Sequence, residues 1–270
     1  MTDLKIGIAG CGGRMGRMLI REVAATPDCR LQAAIERPGH ELVGRDAGEL
    51  AGLEPLGVTV GDDAAALFAA SDAVIDFTTP ATSAINAGLA AQARAIHVVG
   101  TTGLNDDQEE ELGLAARHTQ VVWAPNMSLG VNLLMVLAEQ VAHALGPDFD
   151  VEICELHHRG KVDAPSGTAL ALGRAVAKGR GVELDQVAVR GRDGVTGARP
   201  EGAIGFAVMR GGDVVGDHTV IFAGEGERLE LTHRAANRQI YAKGAVRAAL
   251  WARSRPPGLY SMRDVLGLSA

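Results

Sequence analysis

Cysteine is scarce in this chain: Cys11, Cys29 and Cys154 are the only three among 270 residues. An odd number at wide spacing suggests neither a disulfide framework nor a cysteine-built zinc site. Positive charge is not in excess. The formal net charge is −7, whereas a general nucleic-acid binder carries a basic face. Apolar residues make up 47% of the chain, yet no apolar run is expected to approach the ~18–20 residues that cross a bilayer. No internal repeat or low-complexity tract is evident. The opening, MTDLKIGIAGCGG, runs directly into a strand and a glycine turn, without a basic n-region or a small-residue cleavage site. A reducing, cytoplasmic setting is therefore expected, with neither nucleic acid nor membrane as partner.

What is present is the profile of a compact soluble protein: 22% charged residues and 35 glycines, in a chain long enough for two modest domains. The first ~125 residues alternate strand and helix patterns. Strands are predicted over 4–9, 31–36 and 72–77, and in AIHVVGTTG and QVVWAPN; helices are predicted over 14–25, 81–93 and 106–118. Continuous apolar strands separated by helices imply a Rossmann-type, doubly wound parallel sheet, hence an α/β class. A long apolar helix is predicted over 126–145. Beyond it, VEICELHH, AIGFAVMR, DHTVIFAG and ERLELTHRA read as strands without long helices between them. They imply a second, α+β domain with a mixed or antiparallel sheet, including a hairpin turned at Gly224–Gly226. The stretch 187–205, rich in Gly and Arg, reads as a mobile loop, and 239–251 as a tail helix that pattern alone does not place.

Two constellations carry chemistry. The first is GIAGCGGRMG, between a strand and a helix. The strict G-x-G-x-x-G register fails, because Met15 stands where the last glycine belongs, but Gly7, Gly10, Gly13 and Gly16 recur every three residues. Glycines there let backbone amides approach a pyrophosphate at the helix N-terminus. Glu36 follows 20 residues after Gly16, where an acid binds ribose hydroxyls, and Arg37 beside it could clamp a 2′-phosphate. The pair allows NADH or NADPH. GTTG (Gly100–Gly103) and APNM (Ala124–Met127) end later strands, where doubly wound sheets bind ligands, although each could be only a turn.

The second is ELHHRGKVDAPSGTA, Glu155–Ala169, a basic cluster in an acidic chain. It could be no more than a solvated loop with Ser166 capping a helix. A metal is not expected: His157 and His158 are adjacent on a strand and point to opposite faces, and Lys161 is a poor ligand. The reading that uses most residues is an anion site at the Ser166–Gly167–Thr168 helix start, with a histidine and a lysine to hold a carboxylate and pass a proton. Both histidines can serve one pocket only if the chain bends after Glu155, which Gly160 and Pro165 would allow.

These residues resemble the dihydrodipicolinate reductase family, also called 4-hydroxy-tetrahydrodipicolinate reductase, over essentially the whole chain. E-L-H-H-x-x-K-x-D-x-P-S-G-T-A is its most specific motif, and DFTTP, VVGTTG, APNMSLGVN and the segment from GDHTVIF to AALW follow in the expected order. The resemblance implies reduction of 4-hydroxy-tetrahydrodipicolinate by NADH or NADPH with loss of water, in lysine and diaminopimelate synthesis. It implies that His157 donates and accepts protons and that Lys161 is a second acid. His158, Lys161, Ser166, Gly167 and Thr168 would hold the substrate's two carboxylates. Gly10, Cys11, Gly12, Gly13, Arg14, Met15, Glu36, Arg37, Gly100, Thr101, Thr102, Ala124, Pro125, Asn126 and Met127 would surround the dinucleotide. It also implies a cofactor domain over 1–128, a substrate and oligomerisation domain over 129–238, and a tail, 239–270, that packs back on the first domain. The assembly implied is a homotetramer. Two alternatives remain: another two-domain NAD(P)-dependent dehydrogenase acting on a semialdehyde or polyol, and a non-catalytic dinucleotide sensor.

Overall fold

A computed structural model describes residues 2–268. These divide into two compact units: one takes the residues up to Leu129 together with those from Gln239 onward, the other Gly130–Arg238.

The first unit runs β1 (Leu4–Ala9), α1 (Arg14–Ala25), β2 (Cys29–Ile35), α2 (Ala47–Leu50), β3 (Val60–Gly61), α3 (Ala64–Ala70), β4 (Ala73–Asp76), α4 (Pro80–Ala93), β5 (Ile96–Val99), α5 (Asp106–Ala115) and β6 (Gln120–Trp123). The central strands β4 and β5 are short and buried on both faces, which favours parallel pairing. Together with β12 (Gly258–Tyr260) from the C-terminal segment they form a seven-stranded sheet in the order β12-β6-β5-β4-β1-β2-β3. All of its pairings are parallel. Strand β1 lies between β2 and β4, so the order reverses at β1, and the carboxyl ends there are where ligands bind such sheets.

Helix boundaries follow local chemistry. Asn105 and Gln108 form a reciprocal capping box at α5, and Thr79 caps α4 with Pro80 at its first position. The C-terminal helix α9 (Gln239–Ala252) buries a stripe of small residues, Ala242, Ala245, Ala248, Ala249 and Ala252, in the core that also holds Leu4, Ile6 and Ile8 of β1. Gly244 is required there, since a Cβ would run into the Met127 carbonyl. The short helix α10 (Met262–Val265) closes the described chain.

In the second unit, α6 (Leu129–Leu145) leads into β7 (Asp150–His157), then α7 (Gly167–Arg180), α8 (Leu184–Val187), β8 (Ala188–Val189), β9 (Ile204–Arg210), β10 (Gly216–Ala223) and β11 (Arg228–Ala235). The five strands order as β11-β10-β7-β9-β8. The pairs β11–β10 and β10–β7 are antiparallel, while β7–β9 and β9–β8 are parallel, so the sheet is mixed. Residues of α6 (Leu134, Ala138, Ala142) and α7 (Leu172, Val176) pack with Val151 and Ile153 of β7 in one core.

Three expectations need correction. Helix α6 with the single 3-10 turn after it, Leu129–Asp148, is long and apolar enough to cross a membrane, contrary to the expected absence of such a run. Isolated polar residues (Asn132, Glu139, Gln140) interrupt it without lowering its mean hydropathy much, and a core helix of a soluble protein passes the same test. The stretch 187–205 is not without fixed contacts: Arg192 makes a two-pronged pair with Glu152, and Arg199 bridges Asp150 and Glu152. Helix α6 starts three residues later than predicted, because the Asn126 side chain turns back on the Ser128 N–H at 2.9 Å.

Candidate active site

At the end of β1 the chain turns on Gly10, whose φ of 75° is left-handed and suits glycine. Both Gly10 and Cys11 donate their N–H to the Ile35 carbonyl at 3.0 Å, stitching the turn to β2. The glycine missing from the strict fingerprint register is replaced by Gly16: a Cβ there would collide with the Gly10 carbonyl, so helix and turn pack only with glycine. Gly13 precedes α1 and supplies no side-chain cap, which leaves the first-turn amides of Arg14 and Met15 to an incoming acceptor. Cys11 is buried, and burial foremost pushes its thiol up to about 12, so it packs and does not react. Glu36 follows β2 directly and accepts from the Gly12 N–H at 2.8 Å, so the acid and the turn are in contact; Arg37 next to it is exposed.

The neighbouring strand ends are tied together by a polar network that sequence reasoning missed. Asp76, fully buried at the end of β4, accepts from the Thr78 N–H (3.0 Å) and hydroxyl (2.6 Å) with one oxygen. Its other oxygen takes Asn86 Nδ2 (2.8 Å) and His97 Nε2 (3.2 Å). Burial opposes its charge, but these donors outweigh burial and hold its carboxyl below the usual 3.8. Thr78 in turn donates its N–H to the Thr101 hydroxyl at 3.1 Å, and the Ser83 hydroxyl reaches Thr101 at 2.8 Å. Gly100 is pressed against the Phe77 ring, with no room for a Cβ. Thr101 is buried, Thr102 exposed, and the Trp123 indole N–H lies 3.5 Å from the Thr101 carbonyl. Ala124 N–H donates to Val99, and Pro125, Asn126 and Met127 continue from the end of β6. The structure thus gathers the expected dinucleotide residues along the carboxyl ends of β1, β2, β5 and β6. Uncapped amides, glycine contacts that exclude a Cβ and a strand-end acid together fit a dinucleotide.

In the second unit, β7 alternates regularly, so Val151, Ile153, Glu155 and His157 share its buried face. The bend foreseen after Glu155 comes later. β7 runs through His157, and the chain then turns with the His158 N–H on the Val214 carbonyl and the Lys161 N–H on the His158 carbonyl. His157 joins a buried group with Glu155 and His218, while His158 sits half-exposed on the turn, outside that group. Ser166 caps α7 by accepting the Ala169 N–H at 3.2 Å, and its own N–H donates to Glu155 Oε1 at 2.9 Å. Lys161 Nζ holds the Asp163 carboxylate at 2.8 Å, and the Gly167 N–H reaches the same carboxylate. Thr168 follows in the first turn of α7.

Glu155, Arg210 and His218 lay outside the expected site. Glu155 was visible as the first residue of the motif, but a single acid before two histidines carries no signal of burial. His218 and Arg210 come from β10 and β9, beside β7 only through long-range pairing. The His157 and His218 rings meet edge to face at 5.0 Å. Burial, opposed by Glu155, holds His157 below its usual 6.5; burial and neighbouring cations bring His218 down to about 4. Ligand atoms of Glu155, His157 and His218 lie within 4.8 Å of one another, a spacing a cation could use. The Arg210 guanidinium already faces this carboxylate at 3.2 Å, and the Ser166 hydroxyl already meets His218 Nε2 at 3.2 Å. Both disfavour a cation there.

The doubly wound sheet with its glycine turn defines a Rossmann-type, dinucleotide-binding class of protein with a second, mixed-sheet unit. Residues 4–127 match the family model described as dihydrodipicolinate reductase, N-terminus, and residues 130–266 the corresponding C-terminus. The chain belongs to the dihydrodipicolinate reductase family. It is 58% identical to the 4-hydroxy-tetrahydrodipicolinate reductase of Rhizobium rhizogenes, over 100% of this chain and 99% of that one. A dipicolinate-bound dihydrodipicolinate reductase from Paenisporosarcina sp. TG-14 superposes with a TM-score of 0.78 at 26% identity, over 96% of this chain and 98% of that one. An amine dehydrogenase from Mycobacterium smegmatis, with a TM-score of 0.59 and 14% identity over 97% of this chain and 95% of its own, shares the fold alone.

Proposed function

We propose that the chain reduces 4-hydroxy-tetrahydrodipicolinate to tetrahydrodipicolinate in lysine and diaminopimelate synthesis. The ring hydroxyl leaves as water, and one hydride and one proton are consumed. Relatives at 58% identity bear the name of this activity. The structural observation that carries the reading is the Asp163 carboxylate, seated between the Lys161 ammonium and the Gly167 N–H at the start of α7. These groups bind a carboxylate of the chain itself, so a substrate carboxylate suits them equally. Ser166 and Thr168 complete that helix start, and His158 on the adjoining turn is assigned to the second carboxylate.

A bound nicotinamide supplies the hydride. The turn Gly10–Met15 takes the pyrophosphate, Glu36 the ribose hydroxyls, and Gly100–Thr102 with Ala124–Met127 the nicotinamide end. Arg37, exposed beside Glu36, admits a 2′-phosphate, so both NADH and NADPH serve. Lys161 is the proton donor. Because His157 is held below 6.5, it is neutral at pH 7 and accepts or relays a proton without storing one. A homotetramer in the cytoplasm belongs to the same reading and rests on family resemblance.

The test is NADH and NADPH oxidation with enzymatically generated substrate. Turnover with at least one cofactor is expected; none with either would overturn the assignment. Turnover on a semialdehyde or polyol in its place would move the chain to a different dehydrogenase activity.

A further inference from the structure

Glu155 has as yet no role in this chemistry. It stands two residues before His157 on β7, and its side chain is 1% exposed. Oε1 is fully engaged, accepting the Ser166 N–H at 2.9 Å and Arg210 Nη2 at 3.2 Å. Oε2 lies 3.1 Å from His157 Nδ1 and 3.7 Å from His218 Nε2. Neither Oε2 nor His157 Nδ1 has an aligned hydrogen bond among the described residues, so the 3.1 Å approach is a close polar contact that a small ring rotation would convert into one. A buried carboxylate oxygen without a donor costs roughly 1–3 kcal/mol or more, which favours a proton on the nearest nitrogen. On the other side of the ring, Gly216 leaves space: a Cβ there would come within 2.8 Å of His157 Nε2.

We propose that Glu155 is a positioning residue that holds His157 in its Nδ1–H tautomer, so that Nε2 is the nitrogen that exchanges a proton, and fastens the end of β7 to the cap of α7. The kinetic consequence rests on the reductase reading; the tautomer rests on geometry alone. Every charged group around the ring enters its titration. Glu155 and Asp163 favour a proton on His157, Lys161 and Arg210 oppose it, and His218, itself opposed by His233, faces it from β10.

Nitrogen NMR of the imidazoles tests this, with the His157 signals assigned by their loss in His157→Gln. In the unaltered protein at neutral pH the Nδ1–H tautomer is expected; the Nε2–H tautomer would overturn the proposal without any need for a folded variant. In Glu155→Gln the His157 midpoint should move further down, because the carboxylate that favours the imidazolium is gone; an unchanged midpoint would contradict it. In the oxidation assay Glu155→Gln should lower kcat about tenfold or more with dinucleotide affinity retained. Adding it to His157→Gln should cost nothing further, whereas additive losses would make Glu155 an independent contributor. Absence of turnover in the unaltered enzyme would sink the reductase reading and leave the NMR result to decide this one.

Discussion

Each unit buries one carboxylate against an imidazole, and the two are finished differently. Asp76 lies 3.2 Å from His97 and receives donors on both oxygens, from Thr78, Asn86 and His97. Glu155 lies 3.1 Å from His157, has both donors on Oε1 and none on Oε2. A saturated carboxylate has a single stable arrangement and serves as a fixed strut, here for the loops that end β4 and β5. A carboxylate with an open oxygen beside a neutral imidazole can respond when that imidazole gains a proton. The same pair of residue types is therefore closed by donors in one unit and left with an open oxygen in the other, where the proposed proton handling would use it.

The comparison fails most visibly if chemistry and nucleotide binding cannot be separated. Lys161→Ala should lower kcat by roughly 10²–10⁴-fold while the dinucleotide Kd, read by cofactor fluorescence, stays unchanged. Full turnover, or parallel loss of both properties, would remove the distinction. Next comes stability. Asp76→Ala strands the Asn86 and His97 side chains in the core and should destabilise by about 3–5 kcal/mol in denaturant unfolding, whereas Glu155→Ala, with one oxygen unused, should cost less. Equal losses would mean the two carboxylates do the same work.

Acid should sharpen the contrast. His218 titrates near 4 when folded and near 6.5 unfolded, so its neutral burial is costless above 6.5 and is penalised progressively as pH falls from 6.5 to 4. The loss by pH 4 is on the order of 3 kcal/mol, and His157, also depressed, adds to it. Asp76, depressed below 3.8, stabilises above that value and is lost only at lower pH. Hydrogen exchange should therefore show β7 and β10 loosening between pH 6.5 and 4 while β4 and β5 remain protected. Simultaneous loosening would contradict this. Smallest is Gly16→Ala, whose Cβ meets the Gly10 carbonyl; a loss of about 1–3 kcal/mol and weaker dinucleotide binding are expected, with calorimetry and fluorescence as readouts.

The first unit was the more legible in sequence. Strand 4–9 and helix 14–25 coincide with their predicted bounds because a continuous apolar strand, a glycine turn and an amphipathic helix are local signals. Short pieces such as β3, β8 and β12 carry two or three residues each and no period, and only pairing to a neighbouring strand defines them. Of the basic motif, sequence located Lys161 and the Ser166 cap, since charge and helix-start chemistry are local. It could not show that His157 faces inward and His158 does not, because that depends on where β7 stops. His218 and Arg210 were out of reach for a similar reason: sheet register brings them to Glu155 across 63 and 55 positions of sequence.

The most direct measurement follows a deuterium label from the nicotinamide C4 of NADH or NADPH into product by mass spectrometry, using enzymatically generated substrate. One deuteron should appear in tetrahydrodipicolinate, with the loss of one water, for each cofactor oxidised. Cofactor oxidised without label in the product, or product that retains the hydroxyl, would contradict reduction with loss of water.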